Sequence, residues 1–258
     1  MASKRPFFVI VPAGSQNPTH YGYLSHLLQL AGYPTCSALL PSVGASGRVS
    51  VEDDTTFIRH KMLLPILEVE EHDIVLIMHS YSGVPGSAAA QGLGKVERTM
   101  QGKKAGVIGQ IFIASMLQKG GDGTDILTAA GGSFPPHIRP DPEANVLRCD
   151  DRIPVLYQEV RKDLADAVAA STMAQGMTVF TTPSPRATWD SKEYKGRVAY
   201  IRALNDTSIP LSIQQMLIDN TGIEWIVRDM ESDHSPQLSH PDELTATLLE
   251  LAKKFETL

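Results

Sequence analysis

The chain has 258 residues with 23 basic and 29 acidic side chains, a formal net charge of -6. At roughly 150 residues per domain that length holds one domain or two, each with a full apolar core. The mild acidity, with no Lys/Arg cluster to neutralise phosphates, argues against nucleic-acid binding, and no stretch approaches the length needed to cross a bilayer.

Strand and helix signals alternate from the start. Residues 7–11 form a short β-branched and aromatic run, too short for a signal-peptide core, ended by Pro12-Ala13-Gly14. Helical spacing of leucines follows over 21–31 and stops at Gly32. A second strand is expected at 35–40, then a Gly/Ser loop over 42–50. A helix is expected over 51–69, with Ser50 as its cap and Glu52, Asp53 and Asp54 in its first turn. Residues 73–78 are almost wholly Ile, Val, Leu and Met, which reads as a strand buried on both faces of a parallel sheet. It runs into His79-Ser80-Tyr81-Ser82-Gly83 and a small-residue helix over 83–94. A fourth strand is expected at 107–113.

Between Leu117 and Lys195 the alternation is lost, and only 160–177 reads as a convincing helix. Such a segment between two strands is expected to be a lid over the active face, so 118–195 is taken as a cap inserted into a core of 1–117 and 196–258. Alternation resumes with a strand at 197–202, a helix at 211–220, a strand at 224–228 and a terminal helix at 241–255. The fold class is α/β, a mostly parallel sheet of about six strands flanked by helices.

Parallel sheets place chemistry at the carboxyl ends of their strands, and Ser80 falls at such an end, on a sharp strand-to-helix turn. The elbow motif Gly-x-Ser-x-Gly is only half kept, with Met78 and Ser82 at the glycine positions and Gly83 one further on. A serine there could equally cap the next helix. A serine nucleophile, however, needs a base and a group to orient that base, in the order Ser, Asp or Glu, His along such a chain. Asp206 follows the 197–202 strand and His234 follows the 224–228 strand, both in loops on the face of Ser80. Asp233 adjoins His234, but neighbouring side chains point apart, which makes it a poor orienting partner. Backbone donors for an oxyanion are expected from Tyr81, after the serine, and from the small-residue loop Pro12-Ala13-Gly14-Ser15, where Ala13 lets the backbone approach a substrate. No histidine shows metal-ligand spacing, and the glycine clusters at 92–94 and 120–123 are not nucleotide fingerprints, so neither metal nor cofactor is expected. Cys36 and Cys149 lack Cys-x-x-Cys spacing and read as ordinary thiols of a reducing compartment, making a cytoplasmic enzyme the default.

With these residues the chain resembles the α/β-hydrolase superfamily over nearly its whole length. Within it, the chain is similar to the group of small plant methylesterases and hydroxynitrile lyases and to fungal hydrolases that end in a similar Asp-His-Ser-Pro stretch. The resemblance implies a helical cap, no cofactor, Ser80, His234 and Asp206 as nucleophile, base and orienting acid, and Gly14 and Tyr81 as amide donors. Hydroxynitrile lyases of this type carry a lysine directly after the histidine, where this chain has Ser235. The expected activity is hydrolysis of a carboxylic ester or lactone through an acyl-enzyme. Met116, Tyr157, Phe180 and Trp189 are expected to line an apolar pocket for a medium-sized aromatic or polyketide-like substrate, with packing of the cap onto the core as the alternative role. A lyase or cyclase using Ser and His as acid and base, and a ligand-binding homologue, are the other readings. A homodimer is compatible with the composition.

Overall fold

The computed structural model describes residues 4–45 and 47–258, so the first three residues of the expected core and residue 46 of the expected Gly/Ser loop lie outside the description. Among the described residues nine strands follow in chain order: β1 (Phe7–Val11), β2 (Thr35–Ser37), β3 (Ile74–His79), β4 (Val107–Ile113), β5 (Arg139–Asp141), β6 (Val146–Arg148), β7 (Gln175–Gly176), β8 (Val198–Ala203) and β9 (Ile226–Met230). Six of them form one sheet in the order β2-β1-β3-β4-β8-β9. Every pairing in it is parallel.

Both faces of this sheet are covered, which explains the unbroken apolar runs. Along β1, Phe8 and Ile10 join one buried cluster with Leu24, Leu28 and Phe255, while Val9 and Val11 join the other with Ile58, Leu76 and Trp225. Strand β3 buries all six of its residues. At about 1.5–3 kcal/mol for each large apolar side chain, that burial exceeds the cost of the strained turn that follows it.

Chain connections make the active edge. After β1 the chain moves outward to β2, then crosses back to pair β3 on the other side of β1. The loops leaving β1 and β3 therefore diverge at their carboxyl ends and leave a crevice between them. Residues 12–16 form one lip and residues 80–82 the other.

The helix expected over 51–69 begins at Val51, with Ser50 accepting from the Asp53 amide, but is regular only to Phe57. Beyond it the turns widen to a π-type spacing through Glu70, around Pro65, whose ring nitrogen cannot donate to the ladder. The helix expected over 83–94 ends earlier, as Gly83–Ala89, and a second short helix, Lys95–Met100, follows.

The segment between β4 and β8 differs from expectation in its content. Besides short helices it carries a three-stranded antiparallel sheet, β5-β6-β7. The hairpin between β5 and β6 turns where Asp141 accepts from the Ala144 amide and Asn145 takes a left-handed φ of 54°. The helix expected over 160–177 runs only Lys162–Ser171, because Gln175 and Gly176 pair with β6 instead. No helix among the described residues is long and apolar enough to cross a membrane.

Candidate active site

Ser80 stands at the end of β3 with a left-handed φ of 56°, a conformation that costs a non-glycine residue about 1–3 kcal/mol. Its surroundings over-determine it. The Ser80 carbonyl accepts from the Met116 amide at 3.0 Å and from the Ser115 hydroxyl at 2.7 Å, both just beyond β4. These groups fit because residue 83 is glycine: a Cβ there would lie 2.3 Å from Ser115 Oγ and 2.4 Å from the Met116 carbonyl. The two departures from the elbow motif are also accommodated. Met78 is seated against Gly86, where a Cβ would meet its side chain at 2.6 Å. Ser82 turns its hydroxyl inward, accepting from the His79 amide at 2.9 Å beside the Val11 carbonyl, so it ties β1 to β3.

Ser80, Asp206 and His234, spread over 154 positions of the sequence, meet here. His234 Nε2 lies 3.0 Å from Ser80 Oγ, and His234 Nδ1 lies 2.7 Å from Asp206 Oδ2. Asp206 is aimed by its own loop, since its other oxygen, Oδ1, accepts from the Ser208 and Ile209 amides at 2.7 and 2.9 Å. A carboxylate that only accepts fixes Nδ1 as the protonated nitrogen, which leaves the Nε2 lone pair facing the serine. Burial lowers the affinity of His234 for a proton, but the charge and hydrogen bond of Asp206 outweigh it, and the imidazole pKa ends above its ordinary value. An imidazole so held can take a proton from the hydroxyl beside it.

Asp233 has another task. Its carboxylate accepts from the Ser235 amide and the Ser239 hydroxyl, and from the amide of Glu159 in the inserted segment. Glu159 in turn accepts from the Asp233 amide and from Asn205 Nδ2. One stretch of the inserted segment thus joins the loop of Asp206 to the loop of His234.

His79, just before Ser80, is fully buried and supports the histidine loop. Its Nε2 lies 2.7 Å from the His234 carbonyl, which can only accept, so Nε2 carries the hydrogen and Nδ1 accepts from the Tyr21 hydroxyl at 2.7 Å. Burial, then the nearby charge of His234, holds His79 well below its ordinary pKa, so it stays neutral.

Above Ser80 lies a cavity of about 130 Å³. Ala13, Met116 and Phe180, named from the sequence for a substrate pocket, line it, as do Gly14 and Tyr81, named as amide donors. Tyr157 and Trp189 do not. Trp189 is 3% exposed and packs on Trp225 within the core under the sheet, at 6.2 Å between ring centres. Tyr157 is fully buried in a cluster with Val160, Ala165 and Val168 and bonds Thr172 at 2.8 Å. Both are large rings without exposed edge, and both serve to anchor the insertion.

The cavity also takes residues that periodicity had no means of finding. Phe134, His137, Ile138, Leu147 and Cys149 come from the insertion, and Ser208 and Ile209 from the loop after Asp206. Phe134 meets Phe180 edge-on at 6.0 Å, and Phe180 leans on Tyr81 at 5.3 Å, an aromatic row from cap to elbow. His137 Nε2 stands 3.5 Å from Ser208 Oγ, and burial, followed by the charge of His234, lowers its pKa. An apolar phenylalanine in the glycine- and proline-rich stretch 131–136 was the one available signal. Among the described residues no group of three or more His, Cys, Asp or Glu side chains is placed to hold a metal ion.

Residues 8–247 match the alpha/beta hydrolase family. The chain belongs to that family. An alpha/beta hydrolase of Aspergillus novofumigatus (strain IBT 16806), nvfD, is 28% identical over 248 residues, covering 92% of this chain and 93% of the relative. Salicylic acid-binding protein 2 of Nicotiana tabacum is 24% identical over 264 residues, covering 96% and 97%. Among solved structures, a pyrethroid hydrolase from Sphingobium faniae JZ-2 superposes with a TM-score of 0.74 at 21% identity, covering 96% of this chain and 97% of that one. Polyneuridine aldehyde esterase gives 0.73 at 18% identity, covering 96% and 99%. At such identities the superpositions describe a shared fold. This alpha/beta hydrolase thus has fold neighbours that are esterases and other hydrolases.

Proposed function

We propose that this alpha/beta hydrolase is a serine esterase that cleaves a neutral carboxylic ester or lactone through an acyl-enzyme. The reading is carried by one observation, the 3.0 Å approach of His234 Nε2 to Ser80 Oγ with Asp206 2.7 Å behind the imidazole. In this scheme His234 takes the hydroxyl proton as Ser80 Oγ adds to the substrate carbonyl. The Tyr81 and Gly14 amides receive the oxyanion, each such donor being worth about 3 kcal/mol of barrier. Collapse expels the alkoxide, which leaves with the proton from His234. Water, deprotonated by the same imidazole, then releases the acid and restores Ser80.

The cavity wall supports a substrate class. Met116, Phe134, Leu147, Phe180 and Ile209 offer apolar surface, and no lysine or arginine is among the lining residues. A free carboxylate would find no counter-charge there and would face the carboxylate of Asp206 behind His234, whereas an uncharged aromatic or polyketide-like ester would replace water at little cost. Fold neighbours that hydrolyse pyrethroids or esters are consistent with this choice.

p-Nitrophenyl acetate tests the chemistry. Release of p-nitrophenol is expected from the wild type and a loss of about 10³-fold or more in kcat from Ser80→Ala, with melting unchanged. Equal turnover by the two proteins would remove the mechanism. Faster turnover of short, highly polar esters than of aromatic ones would remove the substrate class alone.

A further inference from the structure

We infer that Asp54 is a positioning residue for the oxyanion site, its carboxylate closing a ring of hydrogen bonds that holds the Tyr81 and Gly14 segments at a set separation. The inference rests on the serine esterase reading above.

Asp54 is fully buried in the first turns of the helix Val51–Phe57, which packs against the elbow helix Gly83–Ala89. An isolated carboxylate is costly to bury unless donors surround it. Asp54 has three: the Ser42 amide at 3.0 Å, the Ser42 hydroxyl at 2.5 Å and the Tyr81 hydroxyl at 2.8 Å. Ser42 Oγ accepts in turn from Gln175 Nε2 at 2.7 Å, and Gln175 Oε1 accepts from the Ser15 amide at 2.8 Å. The peptide link from Ser15 to Gly14 brings the ring back beside Tyr81: a Cβ built at Gly14 would lie 3.4 Å from Gln175 Oε1 and 3.5 Å from Tyr81 Cβ, so glycine lets the two lips stand this close. Both lips of the crevice are thereby tied to one carboxylate, the elbow lip through Tyr81 and the β1 lip through Gln175 and Ser42.

The ionised carboxylate orients every hydrogen in this ring, because it can only accept. A proton on Oδ2 would have to point at Ser42 Oγ or at Tyr81 Oη, each of which already points its own hydrogen at Asp54, so one link must turn away. Burial pushes the Asp54 carboxyl up to about 6, with the Ser42 and Tyr81 hydrogen bonds holding it down and neighbouring Asp53 pushing it further up. Among the described residues no basic side chain pairs with it, and the phenol of Tyr81 is itself held well above its ordinary range and remains a donor. The ring therefore opens as Asp54 gains a proton on acidification.

Oxyanion donors act on the transition state and hardly on the bound ester, so their displacement lowers kcat and leaves KM. Asp54→Asn puts an amide donor where one carboxylate oxygen accepted, and is expected to lower kcat about 10- to 100-fold with KM within about threefold. The pH profile separates positioning from a general packing defect. In the wild type both His234 and Asp54 must lose a proton, so the acid limb of log kcat is expected to be steeper by about one unit of slope than in Asp54→Asn. Asp233, the other buried carboxyl with a raised pKa, contributes equally to both proteins and cancels. If Asp54→Asn fails to fold by circular dichroism, Ser42→Ala, which removes the hydroxyl linking Asp54 to Gln175 and so two hydrogen bonds, is expected to lower kcat by about threefold to tenfold with KM unchanged. Wild-type kcat together with an unchanged acid slope in Asp54→Asn, or unchanged kcat in Ser42→Ala where that variant is needed, would overturn the inference. If Ser80→Ala also turns over at the wild-type rate, the esterase reading has failed instead.

Discussion

The sheet and the insertion that covers it follow different rules. In β3 and β4 every residue is buried, and from Ile74 to Met78 the side chains alternate between two apolar clusters, one on each face of the sheet. In the insertion the elements are short, and besides buried rings such as Tyr157 and Trp189 they are held by polar contacts reaching across the chain, such as Glu159 to Asp233 and Asn205 and Gln175 to Ser15 and Ser42. The first region carries Ser80 at the end of a fully buried strand, and the second supplies part of the wall of the cavity above it. The difference teaches that the rim is fixed by uniform burial, whereas the cavity wall is set by contacts between distant loops.

Substitutions on the two sides should therefore fail in different ways. The largest effect is expected on the rim. Asp206→Asn keeps the shape of the site but no longer enforces the tautomer of His234, and kcat should fall about 10⁴-fold with the melting temperature nearly unchanged, measured by ester turnover and calorimetry. A substitution at Gly83 comes next. Gly83→Ala would press a methyl onto Ser115 Oγ and the Met116 carbonyl, the groups that hold the Ser80 carbonyl. Overpacking of this kind costs about 1–3 kcal/mol, and a displacement of the serine near 1 Å is worth about 10²-fold in rate. A stable, fully active Gly83→Ala protein would mean that the elbow is less constrained than its contacts imply.

On the insertion the effects should be smaller and substrate-dependent. Phe180→Ala removes the middle ring of the row from Phe134 to Tyr81, and KM for an aromatic ester should rise about tenfold while that for the acetate hardly moves. Trp189→Phe, behind the core, should change stability by about 1–2 kcal/mol and neither KM. Equal behaviour of the two variants toward the two esters would erase the distinction between a ring of the insertion that lines the cavity and one that anchors it.

The acid side of the pH profile has a definite sign. In the proposed mechanism His234 must be neutral to accept the serine proton, and its pKa lies above the ordinary value, so ester turnover is expected to be lost as pH falls through that raised pKa. Its contribution to stability runs the other way: a raised pKa stabilises the fold below the unfolded-state value and the contribution is lost as pH rises through the folded one.

Much of the rim was legible from residue order. The strand at 107–113 is observed with those bounds, and Ser80, Asp206 and His234 fall at strand ends because a parallel sheet must send its loops to one edge. The resemblance to alpha/beta hydrolases pointed the same way. The helix at 51–69 was recognised, but its widened turns were not, since the effect of Pro65 depends on how the ladder around it relaxes. The roles of Tyr157 and Trp189 were not legible either: a large ring in a loop-rich segment has the same composition whether it faces a cavity or a core.

What the linear chain determined alone is therefore local and periodic: apolar runs too uniform for anything but a doubly covered sheet, and a polar turn at the end of each run. What folding decided is pairing across distance. Asp54 became a partner of Tyr81, Glu159 of Asp233 and Gln175 of Ser15 because a hydrogen bond depends on angstroms between side chains, and separation along a chain carries no such information once loops of unequal length close over the sheet.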